Sequence, residues 1–375
     1  MIRSGNIAQA LKNLGHDVFA LTTSGGKSAL IEAGFKGNVI LVPCSLFLKN
    51  ERGNFDRLSS YFVSSIMGCI AARKIENIDI IYTDSDYPCD IIPAREIRKR
   101  NPNARWVAMV HHLLMAENTL RSSVISTKLK IGLQNWGLQF IAKRADAAFV
   151  YESMSGRLVA KVLTEKGLPP LAITYVNNGY SAGDLNRVLP SATHYKAVLL
   201  GGLRPGKGLR EVVPIWQRVV RSMPSARLGL IGGISAQYRA ELVDSLKSAN
   251  IEHSVDILGT KPRDEAIALL KGADLLFAPS LEEGWGIAVC EALACAVPVV
   301  AYDLPVYRDL FPEGMISVPM GDHETFAKSI EMLLMDPVKR DVLGQAGKRS
   351  VERFEWQDIA RHEIEAFASV RAQSA

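Results

Sequence analysis

The segment 273-ADLLFAPSLEEGWGIAVCEALACAVPVVAYD-303 decides the fold. It opens with an apolar run that stops at Pro279 and Ser280. A polar loop follows, carrying Glu282 and Glu283 and then Gly284, Trp285 and Gly286. From Ile287 the chain is apolar at helical length, interrupted only by Glu291, and a second apolar run closes the segment at 297–302. The order is strand, loop, helix, strand. Neither strand alternates apolar with polar residues, so both belong in a parallel sheet covered on its two faces.

The same order repeats outward in both directions. Before the segment come "AVLLGG", "ARLGLIGG" and "SVDILG", each followed by a helix-length stretch. Further back come "DVFALTT", "GNVILVP", "DIIYTD", "RWVAMVHH", "DAAFVY" and "AITYVNNG". Between the two sets, "NRVLPSATHYK" (186–196) reads as a linker. A chain of 375 residues is long for one core. The expectation is therefore α/β, with two tandem Rossmann-like, doubly wound parallel-sheet domains at 1–188 and 189–352. A closing helix at 353–375 crosses back to the first domain. Ligands of such sheets bind beyond the carboxyl ends of the strands, so a cleft between domains is expected.

Hydrophobic residues make up 48% and charged residues 22%, which excludes a disordered chain. No run reaches the roughly 18 apolar residues of a membrane span, and the amino end lacks a signal-peptide pattern. Cys44, Cys69, Cys89, Cys290 and Cys295 contain no CxxC pair, and a reducing cytoplasm suits them. The net charge of +5 is uneven: residues 1–190 hold 23 Lys and Arg against 15 Asp and Glu, the remainder 21 against 24. A basic first half suits an anionic partner, either a lipid surface or a charged acceptor. In "KLKIGLQNWGLQFIAKR" (128–144), Leu129, Leu133, Trp136 and Phe140 share a helical face flanked by basic residues. A core-facing helix is the favoured reading of that stretch, and a membrane-surface helix is the alternative.

Three stretches carry chemistry. In 273–303, Gly284 and Gly286 allow close approach of backbone to a ligand. The following helix presents unpaired N–H groups and a positive end suited to a diphosphate. Glu283 and Glu291, one in the loop and one a turn inside the helix, can accept hydrogen bonds from separate hydroxyls of one extended ligand. A carboxylate in an otherwise apolar helix is costly to bury without partners, which singles out Glu291. In "AVLLGGLRPGKGLREV" (197–212), a Gly-rich turn between strand and helix places Arg204 and Lys207 where a phosphate would sit. Gly201, Gly206 and Lys207 satisfy most of a P-loop, but Gly208 stands where the Mg²⁺-binding Ser or Thr belongs. In "WVAMVHHLL" (106–114), His111 and His112 close a strand, and His111 is the expected ligand contact.

With these residues in place, "SLEEGWGIAVCEALACAVPVVA" resembles the signature of the retaining nucleotide-sugar glycosyltransferases of family 4, which have the GT-B fold. Glu283 and Glu291 fall on its two Glu positions. "LLGGLRPGKGLRE" is similar to that family's phosphate loop, and "MVHH" to its strand ending in His. The resemblance implies that Lys207 binds the donor diphosphate, Glu291 the ribose and Glu283 the sugar. Backbone N–H groups of Gly284, Trp285, Gly286 and Ile287 would hold the sugar and phosphates, and His111 would reach the sugar from the first domain. It implies retention by front-face attack, with no metal and no cofactor beyond the nucleotide-sugar substrate. The "DSD" at Asp84–Asp86 is then a chance match to a metal motif, expected as a solvated loop.

Implied partners are a UDP- or GDP-sugar and a glycan or lipid-linked acceptor, with peripheral membrane contact through the basic half and no nucleic acid. The alternatives are a non-catalytic nucleotide-sugar-binding protein, or another GT-B enzyme such as an epimerase. There are departures. The family's loop Arg falls on Gly202, leaving Arg204 to reach the phosphate, and a family Gly is Ala296 here. The family's opening strand and most of its Gly-rich loop have no counterpart before "IAQALKNLGHDVFALTT". The favoured expectation is a true start upstream of Met1, which in-frame translation of the preceding DNA tests. The other readings are a truncated copy, and another segment filling the gap.

Overall fold

The computed structural model describes residues 2–32, 34–42, 54–114 and 124–372; Cys44 lies outside them. Two compact units emerge, one from residues 1–178 with 356–375, the other from residues 179–355.

The first unit runs α1 (Ile2–Asn13), β1 (Phe19–Thr22), α2 (Ser24–Glu32), β2 (Asn38–Leu41), α3 (Asn54–Ala72), β3 (Ile80–Thr83), α4 (Pro88–Arg100), β4 (Arg105–Val110), α5 (Val124–Arg144), β5 (Ala147–Tyr151), α6 (Met154–Glu165) and β6 (Ile173–Val176). β3, β4, β5 and β6 pair in that order, all parallel. β4 and β5 are almost wholly buried, as their unbroken apolar sequences require. β1 and β2 form a separate parallel pair instead of joining the larger sheet. Among the described residues, β1 pairs only with β2, and β3 only with β4. Both strands of the small pair are half-exposed, Phe19 at 44% and Leu41 at 46%.

The second unit runs α7 (Ala182–Arg187), β7 (Ala197–Leu200), α8 (Val212–Ser222), β8 (Leu228–Ile231), α9 (Ala236–Ser248), β9 (Val255–Gly259), α10 (Arg263–Lys271), β10 (Leu276–Ala278), α11 (Ile287–Ala294), β11 (Val299–Tyr302), α12 (Pro305–Leu310), β12 (Met315–Val318), α13 (His323–Met335) and α14 (Pro337–Val351). Its six parallel strands lie in the order β12-β11-β10-β7-β8-β9. Local chemistry sets the helix starts. Ser235, Asp322 and Asp336 accept hydrogen bonds from the backbone N–H three residues on, at 3.2, 2.9 and 2.9 Å. α8 buries Val212, Ile215, Trp216 and Val219 along one side, against a core that includes Phe277, Tyr302 and Phe326.

The chain passes to the second unit at residue 179, earlier than the boundary drawn at 189. The stretch after it is tied to α10: Lys271 Nζ donates to the carbonyls of Leu185 and Val188 at 2.9 and 2.6 Å, and Ser191 N to Ala268 O at 2.8 Å. The last helix, α15 (Trp356–Ala372), belongs to the first unit. There Glu363, fully buried, pairs with Arg3 of α1. The buried side of α1 is therefore Arg3, Ile7 and Ala10, while Leu14, just past the helix, is 43% exposed.

Candidate functional site

In the second unit the chain leaves β7 toward β8 and β9, and leaves β10 toward β11 and β12. β7 and β10 are neighbours, paired through Val198 and Leu276, so the topology reverses between them. The loops leaving their carboxyl ends, 201–211 and 279–286, meet at that reversal, where ligands of such sheets bind.

The two loops are fastened by backbone. Leu281 N and Glu282 N both donate to Gly206 O, at 3.0 and 3.3 Å. Gly208 is left-handed, with φ 74°, and a Cβ on it would sit 1.9 Å from Pro279 O. A P-loop hydroxyl residue could not occupy this position, which gives the missing Ser or Thr a physical reason. Gly286 caps α11 with φ 101°, against the rings of Tyr307 and Phe311. Trp285 is 2% exposed and packs edge-on to Phe311 and Phe354 at 5.3 and 5.1 Å. Its indole is core, so the only polar group it offers a ligand is its backbone. The first-turn N–H groups of α11, beginning with Ile287, have no partner within the helix, as in any α-helix.

Two ion pairs cross these loops, and a third joins α10 to α11. Lys207 Nζ donates to Glu283 Oε2. Arg204 Nη1 lies 2.8 Å from Glu282 Oε1. Arg263, the first residue of α10, places Nη2 2.7 Å from Glu291 Oε1, and the Glu291 carboxylate is buried. Arg263 was not anticipated from the sequence. It lies nearly thirty residues before Glu291 in "TKPRDEA", where it reads as an ordinary charge at a helix start; only the strand order brings the two together. Burial pushes the Tyr307 hydroxyl up, and the Glu283 charge adds to the effect. One further cluster was missed: Glu211 Oε2 accepts from Tyr302 OH at 2.7 Å and lies 2.8 Å from His323 Nε2.

His111 lies in the first unit, just past β4. Its Nε2 is 2.6 Å from the carbonyl oxygen of Asp84 and therefore carries the proton. Nδ1 then accepts from Tyr151 OH at 2.7 Å, and Asn178 Nδ2 donates to the same hydroxyl at 3.0 Å. Burial lowers the imidazole below its ordinary value, opposed in part by Asp84. Both ring nitrogens thus serve the fold of this unit. The neighbouring "DSD" is not a solvated loop. Asp86 is 5% exposed, burial pushes its carboxyl up, and its backbone carbonyl lies against Gly137 of α5. Asp84 accepts from Ser4 Oγ. Among the described residues, no three His, Cys, Asp or Glu side chains gather as a metal cluster.

The sequence model of the family described as Glycosyl transferases group 1 matches residues 186–350. The phosphatidyl-myo-inositol mannosyltransferase of Mycobacterium leprae is 28% identical over 170 residues, 44% of this chain and 44% of that protein. A D-inositol 3-phosphate glycosyltransferase of Salinispora arenicola is 25% identical over 247 residues, 58% of this chain and 55% of that protein. The chain thus matches about half the length of these relatives. Among solved structures, sucrose-phosphate synthase of Thermosynechococcus elongatus covers 98% of this chain, and 92% of its own, at TM-score 0.78 and 18% identity. HepE of Anabaena, solved with UDP and glucose, covers 98% of this chain, and 96% of its own, at TM-score 0.73 and 16% identity. These likenesses carry the fold alone. Residues 186–350 match the family described as Glycosyl transferases group 1, on a chain with the GT-B fold.

Proposed function

We propose that the chain transfers a sugar from a UDP- or GDP-sugar to a glycan or lipid-linked acceptor, with retention of anomeric configuration and without a metal ion. The observation that carries this reading is the set of ion pairs at the β7–β10 reversal, Lys207–Glu283, Arg204–Glu282 and Arg263–Glu291. A diphosphate offers Lys207 and Arg204 more acceptor oxygens and more negative charge than a single carboxylate. Exchange of partners frees Glu283 to accept hydrogen bonds from sugar hydroxyls. The amino end of α11 then faces the phosphates with its unpaired N–H groups and positive end. Glu291, held by Arg263, turns its second oxygen to the ribose. Charge developing on the leaving diphosphate is met by Lys207, Arg204 and the helix end, and the leaving phosphate takes the proton of the attacking hydroxyl. The names of the relatives, a mannosyltransferase and an inositol glycosyltransferase, support the reaction class.

The first test is thermal stability with UDP, GDP or ADP, each with and without a chelator. A ligand at 100 times its dissociation constant adds about 2.7 kcal/mol. The expected result is a rise with one nucleotide that survives chelation; no rise with any of them overturns the reading. NMR of the product's anomeric proton then tests retention. A second reading, nucleotide-sugar binding without transfer, is favoured by the engagement of both His111 nitrogens within its own unit. Donor binding with neither transfer nor hydrolysis in the presence of candidate acceptors would select it.

A further inference from the structure

Glu282 and Glu283 are adjacent in the loop 279–286, and the reaction proposed above gives a task to Glu283 alone. Glu282 is nevertheless held in place. Its backbone N–H donates to Gly206 O at 3.3 Å, beside that of Leu281 at 3.0 Å. Its side chain passes over Gly206 to reach Arg204, with Oε1 2.8 Å from Nη1. A Cβ on Gly206 would collide with that Oε1 and stand 2.8 Å from Arg204 Nη1, so glycine at 206 leaves the room that the pair occupies. The pair is open to water, at 31% exposure for the carboxylate and 52% for the guanidinium, and adds little to the stability of the fold. Its effect falls instead on whatever the guanidinium binds.

Across the two loops, Arg204 and Lys207 are balanced by Glu282 and Glu283. Phosphates that engage the cations release both carboxylates. Glu283 then accepts from sugar hydroxyls, whereas Glu282 gains no donor from the ligand. Tethered through its backbone to Gly206, it stays at the margin of the site with its charge uncompensated. Repulsion between that charge and the phosphates grows with the charge of the ligand. A nucleoside diphosphate carries a terminal phosphate whose last oxygen ionises near neutral pH, while in a nucleotide-sugar that oxygen is esterified. Once the sugar has gone, Glu283 also loses its hydroxyl partners, and both carboxylates compete with the product for the two cations.

We propose that Glu282 is a specificity-determining residue of the donor site: its carboxylate competes with the ligand for Arg204 and disfavours the nucleoside diphosphate product more than the sugar-linked donor, so that spent nucleotide leaves. This rests on the reading of the β7–β10 reversal as a nucleotide-sugar site and adds a role that the reading does not contain. It gives the opposite sign to the ordinary expectation for an ion pair between two ligand-binding loops. A pair that served only to order the loops would, when broken, weaken every ligand alike. A competing carboxylate, when neutralised, strengthens binding, and strengthens it most for the ligand of highest charge.

The test is calorimetric titration of the full chain with UDP against UDP-glucose and with GDP against GDP-mannose, at about 0.05 and about 0.5 M salt. Glu282→Gln, which removes the charge and keeps the shape, is expected to tighten the nucleoside diphosphate by about three- to five-fold at low salt. The sugar-linked donor should gain about half as much or less, and both gains should fade at high salt. Glu282→Asp keeps the charge on the same tether and should keep the ratio of the unaltered protein. The melting temperature of each variant without ligand checks the fold. Three results overturn the proposal: an unchanged ratio of the two affinities in Glu282→Gln, weaker binding of both ligands, or Glu282→Asp behaving as Glu282→Gln does. If the unaltered protein binds neither nucleotide, the donor-site reading falls and this inference with it. If it binds one and only the ratio fails to move, the donor-site reading stands and this inference alone is lost.

Discussion

Lys207 and Glu283 answer each other across two loops, and each is useful to a ligand only once it leaves the other. Lys207→Ala should therefore cost nucleotide affinity about ten-fold or more, since hydrogen bonds to charged groups contribute about 1.5–3 kcal/mol. Arg204→Ala should cost only a few-fold, because that guanidinium is 52% exposed and its pairing is screened by water; calorimetric titration with the preferred nucleotide separates the two. Arg263 is a different case. Removing it strands a buried Glu291 carboxylate, so Arg263→Ala should destabilise the second unit by about 3–5 kcal/mol, seen in urea unfolding, while Arg263→Lys loses less. The carboxylates of this site were legible because a Glu in "IAVCEALACAV" breaks an apolar helix and asks for a reason. Arg263 was not, because its meaning lies in the strand order and not in its neighbours. Lys207 and Arg204 were legible as cations in a Gly-rich turn, but nothing in that turn foretold the carboxylates opposite them.

Among the elements, the parallel strands were readable wherever an unbroken apolar run marked burial on both faces. β12, "MISV", escaped because an edge strand of four residues carries little of that signal. The packing side of α5 was misread because apolar spacing was taken as the buried face, whereas α5 leaves Leu129 and Trp136 outside. Ala296, at the end of α11, has φ 57°, a conformation that costs a Cβ-bearing residue about 1–2 kcal/mol. Ala296→Gly should raise the stability of the second unit by roughly 0.5–1 kcal/mol after the added chain entropy is counted, visible in its denaturant midpoint. At the start of α4, burial pushes Asp90 up to about 6 from 3.8. The folded state holds this proton more tightly than the unfolded chain, so the stabilisation is full below about pH 4 and lost as pH rises through about 6. Asp90→Asn should lift the melting temperature of the first unit near pH 7.5, with the difference shrinking toward pH 5; a difference constant with pH would contradict the assignment.

For the whole molecule, the division into two units was legible from the chain length and two sets of strands, but its borders were not. They depend on which unit claims α7 and α15, decided by contacts such as Lys271 with the carbonyls of Leu185 and Val188. The Arg3–Glu363 pair, buried at both ends, fastens the last helix to the first. Glu363→Ala leaves a buried guanidinium without its carboxylate and should destabilise the first unit by about 3–5 kcal/mol. The second unit's response to nucleotide should remain, so calorimetry should show one transition move and the other stay. The pairing also orders events at the ribosome. At roughly 5–20 residues per second, synthesis of the stretch between Asn178 and Trp356 takes on the order of 10–35 s. Throughout that interval the nascent amino-terminal unit lacks its closing helix and carries Arg3 without its carboxylate, while the unit translated later can finish folding first. Chaperones would meet the earlier-made half as the unfinished one, and a nonsense mutation just before the codon for Trp356 would spoil the unit encoded ahead of Gly179.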